Sequence, residues 1–394
     1  MRILLVHNYY QEPGGEDVVF KAEFELLKKK HISVITYTDY NKRLRNANFF
    51  KIATNAIWSR KTYLKIYNLI QEKKTEIVHF HNIFLCISPA AYYACKKLGA
   101  AVIQTLHNYR MICPGALLFR KGKVCEQCIG KTIAWSGMLH GCWRNSRAGT
   151  ALVTAMLVVH RLIKTWKEKV DIYIALTEFA KKKFIEGGLP QEKIVVKPNF
   201  VYPDPGAKNF KTGDYALFVG RLSKEKGLFT LLKAWKKVKN VPLKIAGDGP
   251  LRRSLEDFVV RNNLSKKVEF LGRCSREEVI NLMHKARFLI APSESYETFN
   301  IAIAEAFACG LPVIASKLGA MEELIEDGRT GLHFTPGDPE DLADKVEWAW
   351  NNNEVIAEMG YEARKEYEAK YTAEKNYEML MKIYRMAKER CHMC

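Results

Sequence analysis

The chain has 394 residues, 48% of them hydrophobic, with 62 Lys and Arg against 43 Asp and Glu, a net charge of +19. That length exceeds one ordinary hydrophobic core and implies two domains. No stretch reaches the ~20 consecutive apolar residues of a bilayer span, which excludes a membrane-spanning helix within these residues.

The charge is lopsided. Residues 1–200 carry 32 basic against 14 acidic side chains, whereas residues 201–394 carry 30 against 29. A surplus confined to one half points to an anionic partner there: a membrane surface, a phosphorylated substrate or nucleic acid. A generally basic proteome is the plain alternative.

In chain order, "MRILLVHNYY" lacks the layout of a signal peptide and predicts a first buried strand, which implies a cytoplasmic chain. "GGEDVVFKAEFELLKKK" follows as a helix and "ISVITYT" as a strand. "EIVHFHN", "AVIQTLHN", "VDIYIAL" and "KIVVKPN" continue the strands, with helices such as "SPAAYYACKKLG" between them. Continuous β-branched runs separated by helices predict parallel strands covered on both faces, the doubly wound α/β pattern. "ALVTAMLVVH" is too short to span a membrane and reads as a buried or interfacial helix. The Pro- and Gly-rich segment 201–214 reads as a linker.

The alternation then restarts. Strands are expected at "YALFVGRL", "PLKIAGDG", "KVEFLG", "RFLIAPS" and "PVIAS", with helices between, and a charged helical tail from about Asp338. The expected domains are 1–203, with a Cys-rich insertion at 113–142, and 204–370. Helix 371–394 is expected to pack back on the first domain. Two such domains leave a cleft at the carboxyl ends of their strands, where open α/β sheets bind ligands.

In "YETFNIAIAE", Glu297 and Glu305 flank a mostly apolar run. Glu297 lies in a strand-to-helix loop and Glu305 about 2.2 turns further on, inside the helix. A phosphate at the helix start would lie between them, held by unpaired backbone N–H groups, and each carboxylate would accept from hydroxyls on its own side. A nucleoside diphosphate sugar has that layout. A capping Glu297 and an ordinary helical Glu305 would give the same spacing. "VGRLSKEKG" adds Arg221 and Lys226 just after a strand, two cations able to hold a pyrophosphate, unless they are solvated loop charges. "IAGDGP" adds a tight turn at Gly247.

Taken together, "GRLSKEKG", "AGDGP", "FLG", "APSESYETFNIAIAEAFACGLPVIAS" and "GLHFTPGDPEDLA" resemble, in order and spacing, the family 4 retaining glycosyltransferases. That resemblance implies the GT-B fold, two Rossmann-like domains facing a cleft. It is dense over residues 214–345 and looser over 1–200. It further implies that Glu297 contacts the donor sugar and Glu305 the ribose, and that Arg221 and Lys226 bind the diphosphate with the backbone of Phe299, Asn300 and Ile301. No catalytic metal or other cofactor is implied. In the first half, Gly14 and Gly15 of "PGGEDVV" are similar to the loop that faces donor phosphates and acceptor, and His107 of "TLHNYR" to a family histidine near the reacting sugar. A simple turn and a core histidine are the plain readings of these; His81 is a weaker candidate. "VKPNFV" departs from the Asn-Gly usual after its proline.

Four of the ten cysteines, Cys113, Cys125, Cys128 and Cys142, follow a C-x11-C-x2-C-x13-C spacing. The close pair suits a structural zinc site; reduced thiols and redox chemistry are the alternatives. The surrounding segment resembles an insertion in polysaccharide-assembly members of the family. The stretch 46–74 mixes Phe49, Phe50, Trp58 and Tyr63 with lysines, and suits either a membrane surface or a core-facing helix with a basic outer face.

The leading expectation is a retaining glycosyltransferase of cell-surface polysaccharide or glycolipid synthesis, cytoplasmic and at the inner face of the membrane. Its donor would be UDP- or GDP-linked and its acceptor a glycan or a lipid-linked glycan. A GT-B sugar-nucleotide epimerase would use the same donor site without an external acceptor. A basic nucleic-acid-binding or scaffold protein with a zinc module is a third class; the complete donor-site series argues against a nucleic-acid partner.

Overall fold

The computed structural model describes residues 1–12, 14–44, 48–207 and 213–393. Part of the expected linker (208–212) and the start of the aromatic stretch (46–47) lie outside the described residues, as do the side chains of Phe49 and Phe50. The chain divides into two compact units. The first comprises Met1–Leu118, Cys125–Pro198 and Glu374–Cys394, the second Phe119–Val124 and Asn199–Ala373.

The first half opens with β1 (Arg2–Tyr9), α1 (Gly15–Lys29) and β2 (Ser33–Tyr40). Next come α2 (Phe49–Ile57), α3 (Arg60–Lys73), β3 (Ile77–Asn82), α4 (Ala90–Lys97) and β4 (Ala101–Thr105). The Cys-rich segment carries a small hairpin, β5 (Phe119–Arg120) and β6 (Lys123–Val124), and a short α5 (Trp135–Leu139). Then follow α6 (Arg147–Leu162), α7 (Thr165–Glu168), β7 (Ile172–Ala175), α8 (Glu178–Glu186) and β8 (Ile194–Val196).

The second half runs β9 (Ala216–Val219), α9 (Leu228–Trp235), β10 (Leu243–Ala246), α10 (Arg252–Arg261), β11 (Val268–Gly272) and α11 (Arg276–Lys285). It continues with β12 (Phe288–Ala291), α12 (Ile301–Ala308), β13 (Val313–Ser316), α13 (Ala320–Leu324) and β14 (Gly331–Phe334). Three helices close the chain: α14 (Pro339–Asn351), α15 (Asn353–Lys370) and α16 (Ala373–Met393).

Each unit is built on a six-stranded sheet, parallel at every pairing. Their strand orders differ. The second sheet runs β11-β10-β9-β12-β13-β14, the 3-2-1-4-5-6 order of a Rossmann fold, so the order of strand addition reverses between β9 and β12. The first runs β2-β1-β3-β4-β7-β8, with the reversal between β1 and β3. These reversals are the switch points where such sheets hold ligands.

The strands form because apolar runs such as Ile3–Val6, Ile77–Phe80 and Ile172–Ala175 can be buried on both faces only under helices. In α1, Val19, Phe20, Leu26 and Leu27 face the sheet. α11 starts on a capping box, Ser275 with Glu278. α14 starts on Asp338, whose carboxylate accepts from the Glu340 amide at 2.8 Å, with Pro339 in the first turn. Leu380, Ile383, Tyr384 and Ala387 of α16 join the core around β1, β3, β4 and β7. Cys391 to Met393 lie within that helix.

No described helix is long and apolar enough to cross a membrane. α6 buries Leu152, Val153, Met156 and Leu157. In α3, Thr62, Ile66 and Ile70 are buried at four-residue spacing. Trp58, just before it, packs 4.9 Å from the ring of Tyr93.

Candidate active site

In the second unit the loops after β9, β10 and β12 carry the motif residues. Gly227, at φ +68°, has no room for a side chain: a Cβ there would lie 1.8 Å from the Pro292 carbonyl oxygen. That close approach packs the loop after β9 against the end of β12. It brings Lys226 Nζ to 2.8 Å from Glu297 Oε1. The Ser293 hydroxyl donates to the same oxygen at 2.5 Å. Glu294, one residue further on, accepts from the Thr230 hydroxyl at 2.6 Å. Gly247 meets the same constraint against Gly220, whose carbonyl oxygen would stand 1.8 Å from its Cβ.

Asn300 caps α12, its side chain accepting from the Ala302 amide at 3.2 Å, so the helix begins at Ile301 behind this loop. Phe299 is buried and packs edge-on against Tyr371, with ring centroids 5.9 Å apart. Arg221 is exposed. Glu305 is buried inside α12 and faces Arg276 of α11, whose Nε is 3.4 Å away. The Arg276 guanidinium also donates to the Tyr202 carbonyl. Burial raises the Glu305 carboxyl above its ordinary value, and Arg276 partly offsets this. Arg276 gave no signal in the sequence, because it stands in no motif with the glutamate it serves, whereas Ser293 lies four residues before Glu297 inside the motif they share.

In the first unit the ends of β1, β3 and β4 converge on a buried group. The Gly14 amide donates to Asp17 Oδ2 at 3.0 Å, and Asp17 Oδ1 is 2.6 Å from His7 Nε2. Asp17 thus ties the glycine loop to β1. Gly14 itself is extended (φ −125°) and Gly15 is exposed. His107, just past β4, has its Nε2 3.0 Å from His81 Nδ1. His81 Nε2 is 3.1 Å from Glu23 Oε2, and Lys197 Nζ is 2.7 Å from Glu23 Oε1. Asn376 accepts from Lys197 at 2.6 Å. His79 uses both ring nitrogens, on Tyr384 at 3.0 Å and Thr105 at 2.7 Å.

Burial holds His79 and His107 well below the ordinary 6.5, so both are neutral at neutral pH. For Glu23, burial alone would raise the carboxyl; Lys197 and the His81 contact outweigh it and hold the group well below its ordinary range. The "HFH" of β3 places His79 and His81 on one strand face. Glu23, Lys197 and Asn376 reach them from three remote segments, which no spacing reveals.

His107 and His81 also line a cavity of about 50 Å³ with Gln104, Thr105, Met156 and Trp166. That is room for a few waters.

Among the described residues, the side chains whose donor atoms gather within 4.8 Å are Glu23, His79 and His81. Lys197 already supplies a compensating cation there, and both ring nitrogens of His79 are engaged by Tyr384 and Thr105. The four cysteines converge less tightly. A Cβ on Gly115 would lie 3.5 Å from Cys142 Cβ and 3.7 Å from Cys113 Sγ, and one on Gly137 would lie 3.5 Å from Cys128 Sγ. Burial pushes the Cys128 thiol up to about 11, the Gly137 backbone nearby opposes that rise, and Cys113, Cys142 and Cys125 are near enough to act on it. Gly130, two residues after Cys128, takes the left-handed turn (φ +70°) that closes "CEQCIG".

Two parallel α/β units, each with its polar groups at a sheet reversal, are the architecture of GT-B glycosyltransferases. Solved structures match it along nearly the whole chain. Sucrose-phosphate synthase from Thermosynechococcus elongatus matches with a TM-score of 0.72 at 16% identity, over 98% of each chain. Anabaena HepE in complex with UDP and glucose matches with a TM-score of 0.68 at 17% identity, over 97% of this chain and 99% of that one.

The family model described as "Glycosyltransferase Family 4" matches residues 18–204, and the one described as "Glycosyl transferases group 1" matches residues 204–366. The uncharacterized glycosyltransferase MJ1178 of Methanocaldococcus jannaschii is 31% identical over 98% of both chains. The chain belongs to the group 1, family 4 type of glycosyltransferases.

Proposed function

We propose that the chain transfers a sugar from a UDP-sugar to a hydroxyl of a glycan or lipid-linked acceptor in cell-surface polysaccharide synthesis, with retention of anomeric configuration. The observation that carries this reading is the Lys226–Glu297 pair, set beside the capped start of α12 at the β9/β12 reversal. A diphosphate placed there meets Lys226, Arg221 and the amides of the loop from Phe299 to Ile301. Those groups stabilise the charge that develops on the leaving diphosphate, so no catalytic metal is required. Glu297 is released from Lys226 to accept from sugar hydroxyls, and Glu305 accepts from the ribose. His107, Gly14 and Gly15 serve the sugar and acceptor side. UDP is preferred to GDP because a structural neighbour carries UDP.

The basic first half supports an acidic or lipid-linked acceptor at the inner face of a membrane. The four cysteines, on this reading, close on one structural zinc ion, which would draw the thiols in by side-chain rotation. Their spacing supports this.

Calorimetric titration of UDP and of GDP, with Glu305→Ala alongside, tests the donor site. The expected result is UDP binding that the variant loses. Binding of neither nucleotide would sink the reading, and turnover of donor alone would replace transfer by epimerisation. Metal analysis of the purified chain should find one zinc per chain, with nucleotide affinity unchanged after chelation.

A further inference from the structure

Resting on the reading of a lipid-linked acceptor, we propose that the outer face of α5 and α6 is a docking surface for an anionic lipid bilayer. The two helices lie flat on it.

The outer stripe of α6 has the wrong chemistry for water. Ala148, Ala151, Ala155, Val159 and Leu162 recur at three- and four-residue spacing, and all five are exposed. Every exposed residue of the helix between Arg147 and Arg161 is apolar, on the side where a solvated helix carries its charges. The inner stripe, with Leu152, Val153, Met156 and Leu157, is buried, so α6 is apolar on both sides.

The segment before α6 widens this face. Arg161 donates to the Lys131 carbonyl at one end of α6. At the other end Arg147 Nε donates to the Leu139 carbonyl at 3.1 Å. Residues 131–139 therefore run back along α6. They set Trp135 and Leu139, 62% and 64% exposed, beside a helix whose Leu162 is 68% exposed.

Charge decides what covers the face. Residues 127–167 hold six Lys and Arg and no Asp or Glu. Arg144 and Arg147 stand at the start of α6, and Lys131, Arg161, Lys164 and Lys167 at or just past its end. Two copies of the chain meeting through this face would set cation against cation. Anionic headgroups satisfy the basic rim while the acyl boundary takes the apolar stripe. The 16 residues of α6 span only about 24 Å and are basic at both ends, so the helix lies in the interface and does not cross it.

The inner face of the same helix reaches the acceptor side. Met156 and Leu157 wall the cavity that His81 and His107 line. The bilayer surface and that cavity are then one helix apart, about 10 Å.

The test is co-sedimentation of the full-length chain with vesicles of phosphatidylcholine, or of phosphatidylcholine and phosphatidylglycerol in equal parts. The expected result is at least about tenfold stronger partition to the mixed vesicles, weakening as salt rises. Leu139→Glu combined with Leu162→Glu should cut that partition at least about tenfold with the thermal midpoint unchanged, since both side chains are exposed. Val260→Glu, on α10 of the second unit and 66% exposed, should leave it as it was. Arg144→Gln combined with Lys164→Gln should reduce the preference for the anionic vesicles. Wild-type partition in the double glutamate variant overturns the proposal, as does equal or absent binding to the two kinds of vesicle. A dimer that Leu162→Glu dissolves would give the face to a second copy and overturn it too. Vesicle binding by a chain that fails to bind UDP would sink the donor reading and leave the surface standing; UDP binding by a chain that ignores vesicles would do the reverse.

Discussion

The two units share an architecture and solve opposite electrostatic problems. In the second, the charges of the site are within reach of water: Arg221 is exposed, and the Lys226 side chain keeps 25% of its surface while paired with Glu297. Such a pair can be exchanged for a ligand at little cost, because its partners are already partly solvated. In the first, Glu23 and Lys197 have 1% exposure each and His79 and His81 none in their side chains. Nothing there can be exchanged without leaving a buried charge alone. One site is therefore built to swap partners on binding, and the other to hold a geometry fixed before binding.

The comparison is sharpest at the ion pairs. Glu23→Ala strands the Lys197 ammonium in the first unit's core and should cost about 3–5 kcal/mol. Glu269→Ala removes an exposed partner of Lys244, 3.4 Å away in the second unit, and should cost less than about 1 kcal/mol. Denaturant unfolding of the full chain measures both, each in the transition of its own unit. Equal costs would mean that Lys197 is hydrated or neutral in the folded chain, and the contrast between the units would collapse.

Glycines give the next largest contrast, a costly substitution in the second unit against a tolerated one in the first. Gly227→Ala sets a Cβ into the Pro292 carbonyl at a left-handed backbone position. It should destabilise the second unit by about 1–3 kcal/mol and abolish UDP binding, since Lys226 is its neighbour. At Gly14 the backbone is extended, and an added Cβ meets only the movable Glu16 carboxylate at 2.9 Å. Gly14→Ala should therefore change stability by less than about 1 kcal/mol. Any loss of turnover at Gly14 then reports on substrate and not on folding. A Gly227→Ala protein that still binds UDP would detach the loop after β9 from the donor site.

The same contrast explains what could be read in the sequence. The second unit's site was legible because its residues sit in local motifs, each just past a strand: Arg221 and Lys226 after β9, Gly247 after β10, Glu297 after β12. Strand, turn and helix start are short-range events, and a linear pattern records them. His107 and the glycine loop were found the same way. Glu23, Lys197 and Asn376 were not, because they meet only when α1, the end of β8 and α16 close on β3, contacts spanning 174 and 179 residues from Lys197. A mid-helix Glu among "KAEFELLKKK" looks like a solvated charge until its neighbours are known. The strand order of the first sheet was equally hidden, since apolar runs announce strands and not which strand lies beside which. The strand β14 was missed inside "GLHFTPGD" because its four residues offer no period long enough to see.

The smallest expected effect concerns Glu305, the one carboxylate of the donor site that is buried like those of the first unit. Burial raises it above the ordinary 4.5 and Arg276 opposes that rise. The raised value means the protonated form is reached at a higher pH than for a free glutamate. Protonation removes an acceptor from the ribose hydroxyls, so donor affinity should be full at high pH and fall as pH drops through the raised value. The fall is limited to tenfold, about 1.4 kcal/mol, per pH unit. Arg276→Ala withdraws the opposing cation, so the same decline should begin at a higher pH. Glu305→Gln has no proton to gain and should show the weakened affinity at every pH, with this step gone. UDP titrations between pH 5 and 8 on the three proteins decide it. A wild-type profile that is flat, or one unmoved by Arg276→Ala, would mean that Glu305 does not meet the ribose, and that its carboxylate serves only to tie α12 to Arg276 of α11.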